Sequence, residues 1–251
     1  MATPVASDWQ LAIAAAFLDE TPTVRSIEFD VVQWTGHLAG QHVDIRLTAA
    51  DGYQAQRSYS IASPAGGHST RIEITVERIA EGEVSPFLTQ EMAVGDAIEL
   101  RGPIGGYFTW QPGDSAPLML IAGGSGVVPL VSMLRTRRIA GSRVPTRLLY
   151  SARTAQDIIY RTELDRLVGQ ADDFSLVYTL TRGVPAGWQG PARRVDREML
   201  ATHVFPAVQK PHIYICGPTS FVEAVADDLV ALGHDEKTIK TERFGPTGKT
   251  G

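Results

Sequence analysis

The tetrapeptide Arg57-Ser58-Tyr59-Ser60 organises the first half of the chain. It follows an alternating apolar run, Val43 to Leu47, and a turn at Asp51-Gly52, so we expect it to lie on a strand that leaves this turn. On such a strand Arg57 and Tyr59 share one face, while Ser58 and Ser60 point to the other, an arrangement that a nearby bend or a glycine-rich neighbour can adjust.

The side chains of this tetrapeptide suit a flavin. An arginine fork clamps a phosphate, a tyrosine ring covers an aromatic plane, and a serine hydroxyl reaches a ring nitrogen. The alternative is an ordinary strand with a surface arginine and a half-buried tyrosine. The tetrapeptide alone does not separate the two, so the neighbouring segments have to decide.

The first half contains six short predicted strands, one of which carries the tetrapeptide, and their spacing predicts an antiparallel β-barrel. The alternation of apolar and polar residues places these strands at 10–19, 24–31, 42–48, 56–63, 71–79 and 97–101.

A short helix is predicted between the last two of these strands. Ser85 is a suitable N-cap and Pro86 a suitable first helical residue. Gly82 would let a ligand approach the free backbone amides of this helix, which indicates an anion site suited to a pyrophosphate. The alternative is a plain helix cap with no ligand.

From Pro117 onward, apolar strands alternate with helical segments, which predicts a five-stranded parallel sheet of the Rossmann type. The predicted strands are 118–122, 147–151, 174–181, 213–216 and 238–244, and the predicted helices are 130–139, 157–168, 196–202 and 219–232, the third of them capped by Asp196.

The loop after the first of these strands contains Gly124-Ser125-Gly126 and ends at Pro129. Glycines between a strand and a helix place a dinucleotide pyrophosphate on helical amides, so the loop indicates nucleotide binding. The proline departs from the full dinucleotide fingerprint, and a merely tight turn is the alternative.

The other predicted parallel strands also end in small or polar residues, and ligands of such sheets bind at that edge. The residues concerned are Ser151 with Arg153, Thr181 with Arg182, Cys216, and Glu242. Taken alone, Cys216 fits a small core residue as well as a reactive thiol.

Charge supports two domains, 1–112 and 113–251. The first carries 6 basic against 14 acidic residues and the second 17 against 14, and this balance argues against nucleic acid as a partner.

No apolar run approaches the roughly 18 to 20 residues of a membrane span, and no signal peptide is evident, so we expect a cytoplasmic protein. The single cysteine excludes an iron–sulfur cluster ligated by this chain, and the histidine spacing disfavours zinc.

Five motifs occur in the order found in the ferredoxin–NADP reductase superfamily, which the chain therefore resembles over nearly its whole length. They are Arg57 to Ser60, Gly82 to Ser85, Gly124 to Pro129, Cys216-Gly217-Pro218 and Glu242-Arg243-Phe244. The resemblance implies a flavin-binding barrel, a nucleotide-binding α/β domain, and hydride transfer between nicotinamide and flavin. Oxygenase reductases that the chain also resembles carry an attached iron–sulfur domain, whereas we expect none in this chain.

By this resemblance, Arg57 binds the flavin phosphate, Tyr59 stacks on the isoalloxazine and Ser60 approaches its N5 atom. Gly82, Val84 and Ser85 hold the pyrophosphate. Cys216 and Glu242 lie beside the nicotinamide, and Phe244 covers the other flavin face. Plant-type members have tyrosine instead of Phe244, and this chain continues for seven residues beyond it.

We therefore predict a flavin-dependent NAD(P)H oxidoreductase. The two phosphate sites favour FAD over FMN, and the basic residues Arg153 and Arg182 favour NADPH over NADH. The electron acceptor is expected to be a separate ferredoxin-like or oxygenase protein. The alternatives are a flavin or quinone reductase with a small-molecule acceptor and a non-catalytic flavin-binding sensor. The sequence leaves the oligomeric state open.

Overall fold

The computed structural model describes residues 8–66, 70–170 and 173–245. The chain divides into two compact units: a first unit of Met1–Gln111 with Val131–Ala140, and a second unit of Pro112–Leu130 with Gly141–Gly251. The sequence did not anticipate that 131–140 groups with the first half. The seven-residue tail after Phe244 lies outside the described residues except for Gly245.

The first unit contains one antiparallel sheet whose strands follow the spatial order β4-β3-β6-β1-β2-β5. The strands are β1 Gln10–Thr21, β2 Val24–Asp30, β3 His42–Thr48, β4 Gln54–Ser60, β5 Arg71–Glu77 and β6 Ala97–Ile104. The end strands β4 and β5 approach each other just beyond the end of β4, where Ile61 forms an isolated bridge with Ile74. The sheet is thus barrel-like without full closure, and the predicted barrel is confirmed.

The barrel encloses a core formed by alternate residues of its strands. In β2 and β5, the buried residues Ile27, Phe29, Ile72 and Ile74 are among those that face inward. This is the alternation that identified these strands in the sequence. The burial of these side chains holds the sheet in one register, because a shift of a strand by one residue would turn all of its inward-facing apolar side chains toward solvent.

Residues 131–140, which are helical as far as Ile139, join the first unit through a polar cluster beside the end of β4. Arg135 Nη1 donates to the carbonyl oxygen of Ala62 at 3.0 Å and contacts Glu73 Oε1 at 2.9 Å. The hydroxyl of Ser132 donates to the carbonyl oxygen of Ser63 at 2.7 Å. These bonds fix the segment that follows the Arg57–Ser60 tetrapeptide.

The second unit contains a five-stranded parallel sheet with the order β11-β10-β7-β8-β9, as predicted for the second half of the chain. Its strands are β7 Leu118–Gly123, β8 Thr146–Ala152, β9 Phe174–Leu180, β10 His212–Pro218 and β11 Ile239–Phe244, and the longer helices of the chain are α2 Val127–Ile139, α3 Arg161–Val168, α4 Arg197–His203 and α5 Thr219–Ala231. Every residue of β7 is buried, as expected for the central strand of a sheet covered on both faces.

Two local predictions about helices in the second unit can be compared with the structure. The Asp196 cap is confirmed, since its side chain accepts a hydrogen bond from the backbone N–H of Met199. The helix predicted from Asp157 begins only at Arg161, after a short 3₁₀ turn, Ala155–Asp157.

The predicted N-cap at Ser85 is wrong. A single helical turn, α1 Val84–Pro86, has Glu83 at its N-cap position and continues as a π-helical turn, Phe87–Glu91. Ser85 is buried inside α1, and its hydroxyl oxygen accepts a hydrogen bond from the backbone N–H of Ile79 at 3.0 Å. The Ser85 hydroxyl thus bonds to a backbone group outside the helix, and the sequence around Ser85 does not reveal this partner.

None of the helices in the described part of the chain is long and apolar enough to cross a membrane.

Candidate functional site

The Arg57–Ser60 tetrapeptide lies on β4, with the alternation that the sequence predicted. Arg57 and Tyr59 are opposite Ile45 and Val43 of β3, whereas Ser58 and Ser60 are opposite Asp44 and His42. The Arg57 side chain is 57% exposed, and its Nη2 atom lies 3.9 Å from Glu83 Oε2. Such an exposed pair is worth little, so the guanidinium can bind an incoming phosphate.

Tyr59 and Ser60 are half-buried at the end of β4. Tyr59 packs against the barrel core, and burial raises the pKa of its phenol above the usual range. Within the described residues the hydroxyl of Ser60 has no hydrogen-bond partner. It can therefore form a hydrogen bond to a ligand that reaches the end of β4.

Ser58 differs from its neighbours because its hydroxyl is already engaged. Ser58 Oγ donates to Asp44 Oδ1 at 2.6 Å. This bond keeps the Ser58 side chain on the face away from Arg57 and Tyr59. The predicted direct contact between Ser58 and a cofactor stays a prediction.

The segment from Gly82 to Ser85 forms a compact turn against β5. The backbone N–H of Gly82 donates to the carbonyl oxygen of Ile79 at 2.9 Å. A Cβ atom at Gly82 would lie 3.0 Å from Ser85 Oγ and 3.1 Å from the carbonyl oxygen of Ile79, so a side chain here would push the turn open. Val84 and Ser85 are buried in α1.

Two residues that the sequence analysis missed complete this region. The hydroxyl of Tyr53 donates to Glu83 Oε1 at 2.7 Å, and the other oxygen of Glu83 lies near Arg57. The carboxylate therefore lies beside the cation that is expected to bind phosphate. Tyr53 directly precedes β4 and lies four residues before Arg57, and this even spacing was the available signal.

In the second unit, β7 leads into a 3₁₀ turn, Gly124–Gly126, and α2 starts directly after it at Val127. Gly124 has φ of +56°, and an added Cβ atom there would meet nothing within 4 Å. Gly126 differs, because its Cβ atom would lie 2.1 Å from the carbonyl oxygen of Cys216 and 2.7 Å from the backbone nitrogen of Gly217. The glycine lets this turn pack directly on the end of β10.

Cys216 and Glu242 are opposite each other on the parallel strands β10 and β11, and Pro218 is opposite Phe244. The sulfur of Cys216 is buried, and its pKa is raised, first by this burial and then by the charge of Glu242. The thiol is therefore protonated and is a poor nucleophile at neutral pH. Burial also raises the pKa of Glu242, to about 7.

The raised pKa of Glu242 predicts a specific pH dependence of stability. Between its ordinary pKa of 4.5 and about 7 the folded protein binds more protons than the unfolded chain, so the free energy of unfolding falls as pH rises through this window. The total effect is about 3 kcal/mol at most.

Glu242→Gln should remove this contribution. Chemical denaturation at several pH values gives the free energy of unfolding of the variant and of the wild type, and the difference between the two profiles measures the contribution of Glu242. The exposed Glu236→Gln is the matched control and should leave the wild-type profile unchanged. A Glu242→Gln profile parallel to that of the wild type would contradict the assignment.

The strand-end pairs Ser151 with Arg153 and Thr181 with Arg182 lie at the ends of β8 and β9, and their arginines are the residues predicted to favour NADPH, which carries a 2′-phosphate that NADH lacks. The backbone N–H of Arg182 donates to the carbonyl oxygen of Arg153 at 2.7 Å, and that of Thr181 donates to Ala152 at 3.0 Å. Both arginines are exposed, while Ser151 is buried. In the described part of the chain neither guanidinium has an acidic partner, so both can bind an anion.

Comparison with known proteins matches each half of the chain to a family. The family described as Oxidoreductase FAD-binding domain matches residues 21–109, and the Oxidoreductase NAD-binding domain matches residues 120–227. The crystal structure of the FAD/NAD-binding domain of nitric oxide dioxygenase from Vibrio cholerae O1 biovar El Tor has a TM-score of 0.84 at 24% identity, covering 96% of this chain and 100% of that chain. At this identity the likeness shows the fold.

Two sequence relatives are closer in identity. Ferredoxin–NADP reductase B of Sorangium cellulosum is 36% identical over 234 residues, covering 89% of this chain and 93% of the relative. The glycine betaine monooxygenase reductase subunit of Chromohalobacter salexigens is 34% identical over 212 residues, covering 83% of this chain but 56% of the relative. The chain thus spans nearly all of the first relative and little more than half of the second.

Proposed function

Because the chain belongs to the ferredoxin–NADP reductase superfamily and is an FAD- and NAD(P)H-dependent oxidoreductase, we propose that it passes electrons from NADPH through the flavin to a separate acceptor protein. The acceptor is a ferredoxin or an oxygenase component, in keeping with the reductase names of the relatives from Sorangium cellulosum and Chromohalobacter salexigens. The proposed location is the cytoplasm.

The observation that carries this proposal is the exposure and hydrogen bonding of three side chains at the end of β4. An exposed Arg57, a half-buried Tyr59 and a Ser60 hydroxyl with no partner in the described residues form a set that fits a phosphate joined to an aromatic ring. The residues present thus fit a flavin.

In this proposal Arg57 binds the flavin phosphate, Tyr59 packs on the ring and Ser60 bonds to N5. The backbone of Gly82, Val84 and Ser85 binds the pyrophosphate of the flavin cofactor. Bound FAD supplies the redox chemistry, since it accepts a hydride and releases electrons singly. The boundary between a flavin-binding domain, 1–112, and a nucleotide-binding domain, 113–251, is part of the same proposal.

The second unit is proposed to bind the nicotinamide nucleotide. Gly124, Ser125 and Gly126 receive its pyrophosphate, while Gly217 and Pro218 form the strand end beside Cys216 and Glu242. With its pKa near 7, Glu242 can hold or release a proton at neutral pH. Phe244, opposite Pro218 on β11, is proposed as a further cofactor-binding residue.

The experiment that tests the proposal starts with the purified protein and its visible absorption spectrum. We expect a yellow protein that oxidises NADPH with ferricyanide and with a protein electron carrier such as a ferredoxin. A colourless protein that binds neither added FAD nor FMN would refute the proposal. Good activity with ferricyanide or quinones and none with any ferredoxin or oxygenase component would favour a small-molecule acceptor.

Arg57→Ala should weaken flavin binding about ten- to a hundredfold, because it removes a charge-assisted hydrogen bond worth roughly 1.5–3 kcal/mol. Flavin titration followed by fluorescence measures the loss. Arg71→Ala is the matched control, since Arg71 is a similarly exposed arginine of the same unit that pairs with Asp30 on β2. Equal flavin affinity in the Arg57 variant and the wild type would rule out the phosphate contact.

A further inference from the structure

A buried carboxylate lies directly behind the flavin motif. Asp44, in the middle of β3, is 6% exposed. Its Oδ1 atom accepts a hydrogen bond from Ser58 Oγ at 2.6 Å, and its Oδ2 atom accepts one from Arg101 Nη2 at 2.6 Å. Since β3 pairs with β4 on one side and β6 on the other, this single side chain ties three strands together.

The two hydrogen bonds keep Asp44 charged. Burial alone would raise the pKa of this carboxyl, but the bonds from Ser58 and Arg101, with the charge of Arg101, outweigh burial and hold the pKa below its usual value. A buried carboxylate without such partners would cost several kcal/mol. The side chain is therefore held firmly in one orientation.

Arg101 is itself held from outside the barrel. Its guanidinium carbon lies 4.9 Å from the centre of the Trp9 ring, and that of Arg46 lies 4.1 Å from the same ring. Arg46 also forms a bidentate pair with Glu99 of β6. Asp44 thus belongs to a supported network, in which Ser58 is the member that β4 contributes.

β4 needs such a tether, because it is an end strand of the sheet order. It pairs with β3 along its length, while on its other side the isolated bridge at Ile61 lies beyond the end of the strand. Ser58 stands between Arg57 and Tyr59, so its orientation determines how these two side chains project. A strand free to twist would lose the alignment of a phosphate contact with a ring contact.

We propose that Asp44 is a positioning residue for flavin binding, which acts through Ser58 to fix Arg57 and Tyr59 of β4. This inference rests on the proposed function, because it takes the β4 side chains as the flavin site. It assigns to Ser58 a bond to the protein, with no direct contact to the cofactor.

The test is a double-mutant cycle on FAD affinity with Asp44→Asn, Ser58→Ala and the double variant. Each single variant is expected to weaken FAD binding about tenfold, and the double variant no more than either alone, because both remove one tether. The flavin absorption band should shift in the same variants. Affinity is measured well below the melting temperature of each apoprotein.

Ser26→Ala is the control, since it removes a hydroxyl–carboxylate bond of the same kind, from Ser26 Oγ to Glu20 Oε1, on β2, which does not pair with β4. It should change the melting temperature and leave FAD affinity unaltered. Wild-type FAD affinity in Ser58→Ala would overturn the inference while leaving the proposed function intact. If Asp44→Asn does not fold, the FAD affinity of Ser58→Ala alone tests the inference. Additive effects would also overturn it, because Ser58 would then contact the flavin itself. A wild type that binds no flavin would refute both proposals.

Discussion

Gly126→Ala is expected to slow NADPH-driven reduction of the flavin by about a hundredfold, while FAD stays bound. The new Cβ atom would lie 2.1 Å from the carbonyl oxygen of Cys216 and 2.4 Å from its carbon. Both are backbone atoms, which cannot swing aside as the tip of a side chain can, so the turn or the end of β10 must move. Overpacking of this kind costs roughly 1–3 kcal/mol or more, and here the displacement falls on the proposed nucleotide site.

Stopped-flow reduction, flavin content and thermal melting measure this effect. Gly113→Ala is the matched control, because an added Cβ atom there meets nothing within 4 Å, and it should behave as the wild type does. A Gly126→Ala protein that is reduced at the wild-type rate would show that the turn does not bind the nucleotide. Loss of bound FAD together with a large fall in melting temperature would mean that the glycine serves folding alone.

Arg182→Ala is expected to lower kcat/KM for NADPH about ten- to a hundredfold and to change that for NADH little. The exposed guanidinium has no acidic partner in the described residues, and the backbone N–H of Arg182 donates to the carbonyl oxygen of Arg153 at the ends of β8 and β9. A charged hydrogen bond to the 2′-phosphate is worth roughly 1.5–3 kcal/mol, and NADH cannot form it.

The control for this variant is Arg143→Ala. Arg143 is 80% exposed and precedes β8, so it lies at the opposite edge of the sheet. Its replacement should affect neither coenzyme. Better activity of the wild type with NADH, or equal losses for both coenzymes in Arg182→Ala, would mean that the phosphate pocket is assigned wrongly.

Alternation and glycine placement made much of the fold predictable. The side chains of Arg57 and Tyr59 share a face because β4 has a period of two, and this is visible in sequence. The pairing of Cys216 with Glu242 follows from parallel strands that end at one edge of the sheet. The shared face of the first pair and the proximity of the second both follow from sequence patterns within single strands, and pairing of the strands in the sheet does not change these patterns.

What the sequence did not reveal depends on interactions between distant residues. Asp44 and Arg101 are separated by many residues, and nothing near either indicates that they meet across β3 and β6. Ser85 fits the local rule for an N-cap, yet its hydroxyl accepts a bond from Ile79 outside the helix. Local propensity is a weak guide wherever tertiary partners compete for the same polar group.

The most direct test of the proposed electron transfer is anaerobic mixing of the flavin-loaded protein with NADPH, followed through the visible absorption of the flavin. We expect the absorption to bleach at a rate that saturates with NADPH concentration, and to return when an oxidised ferredoxin or ferricyanide is added. A flavin that stays oxidised with both NADPH and NADH, although dithionite reduces it, would contradict the proposed function.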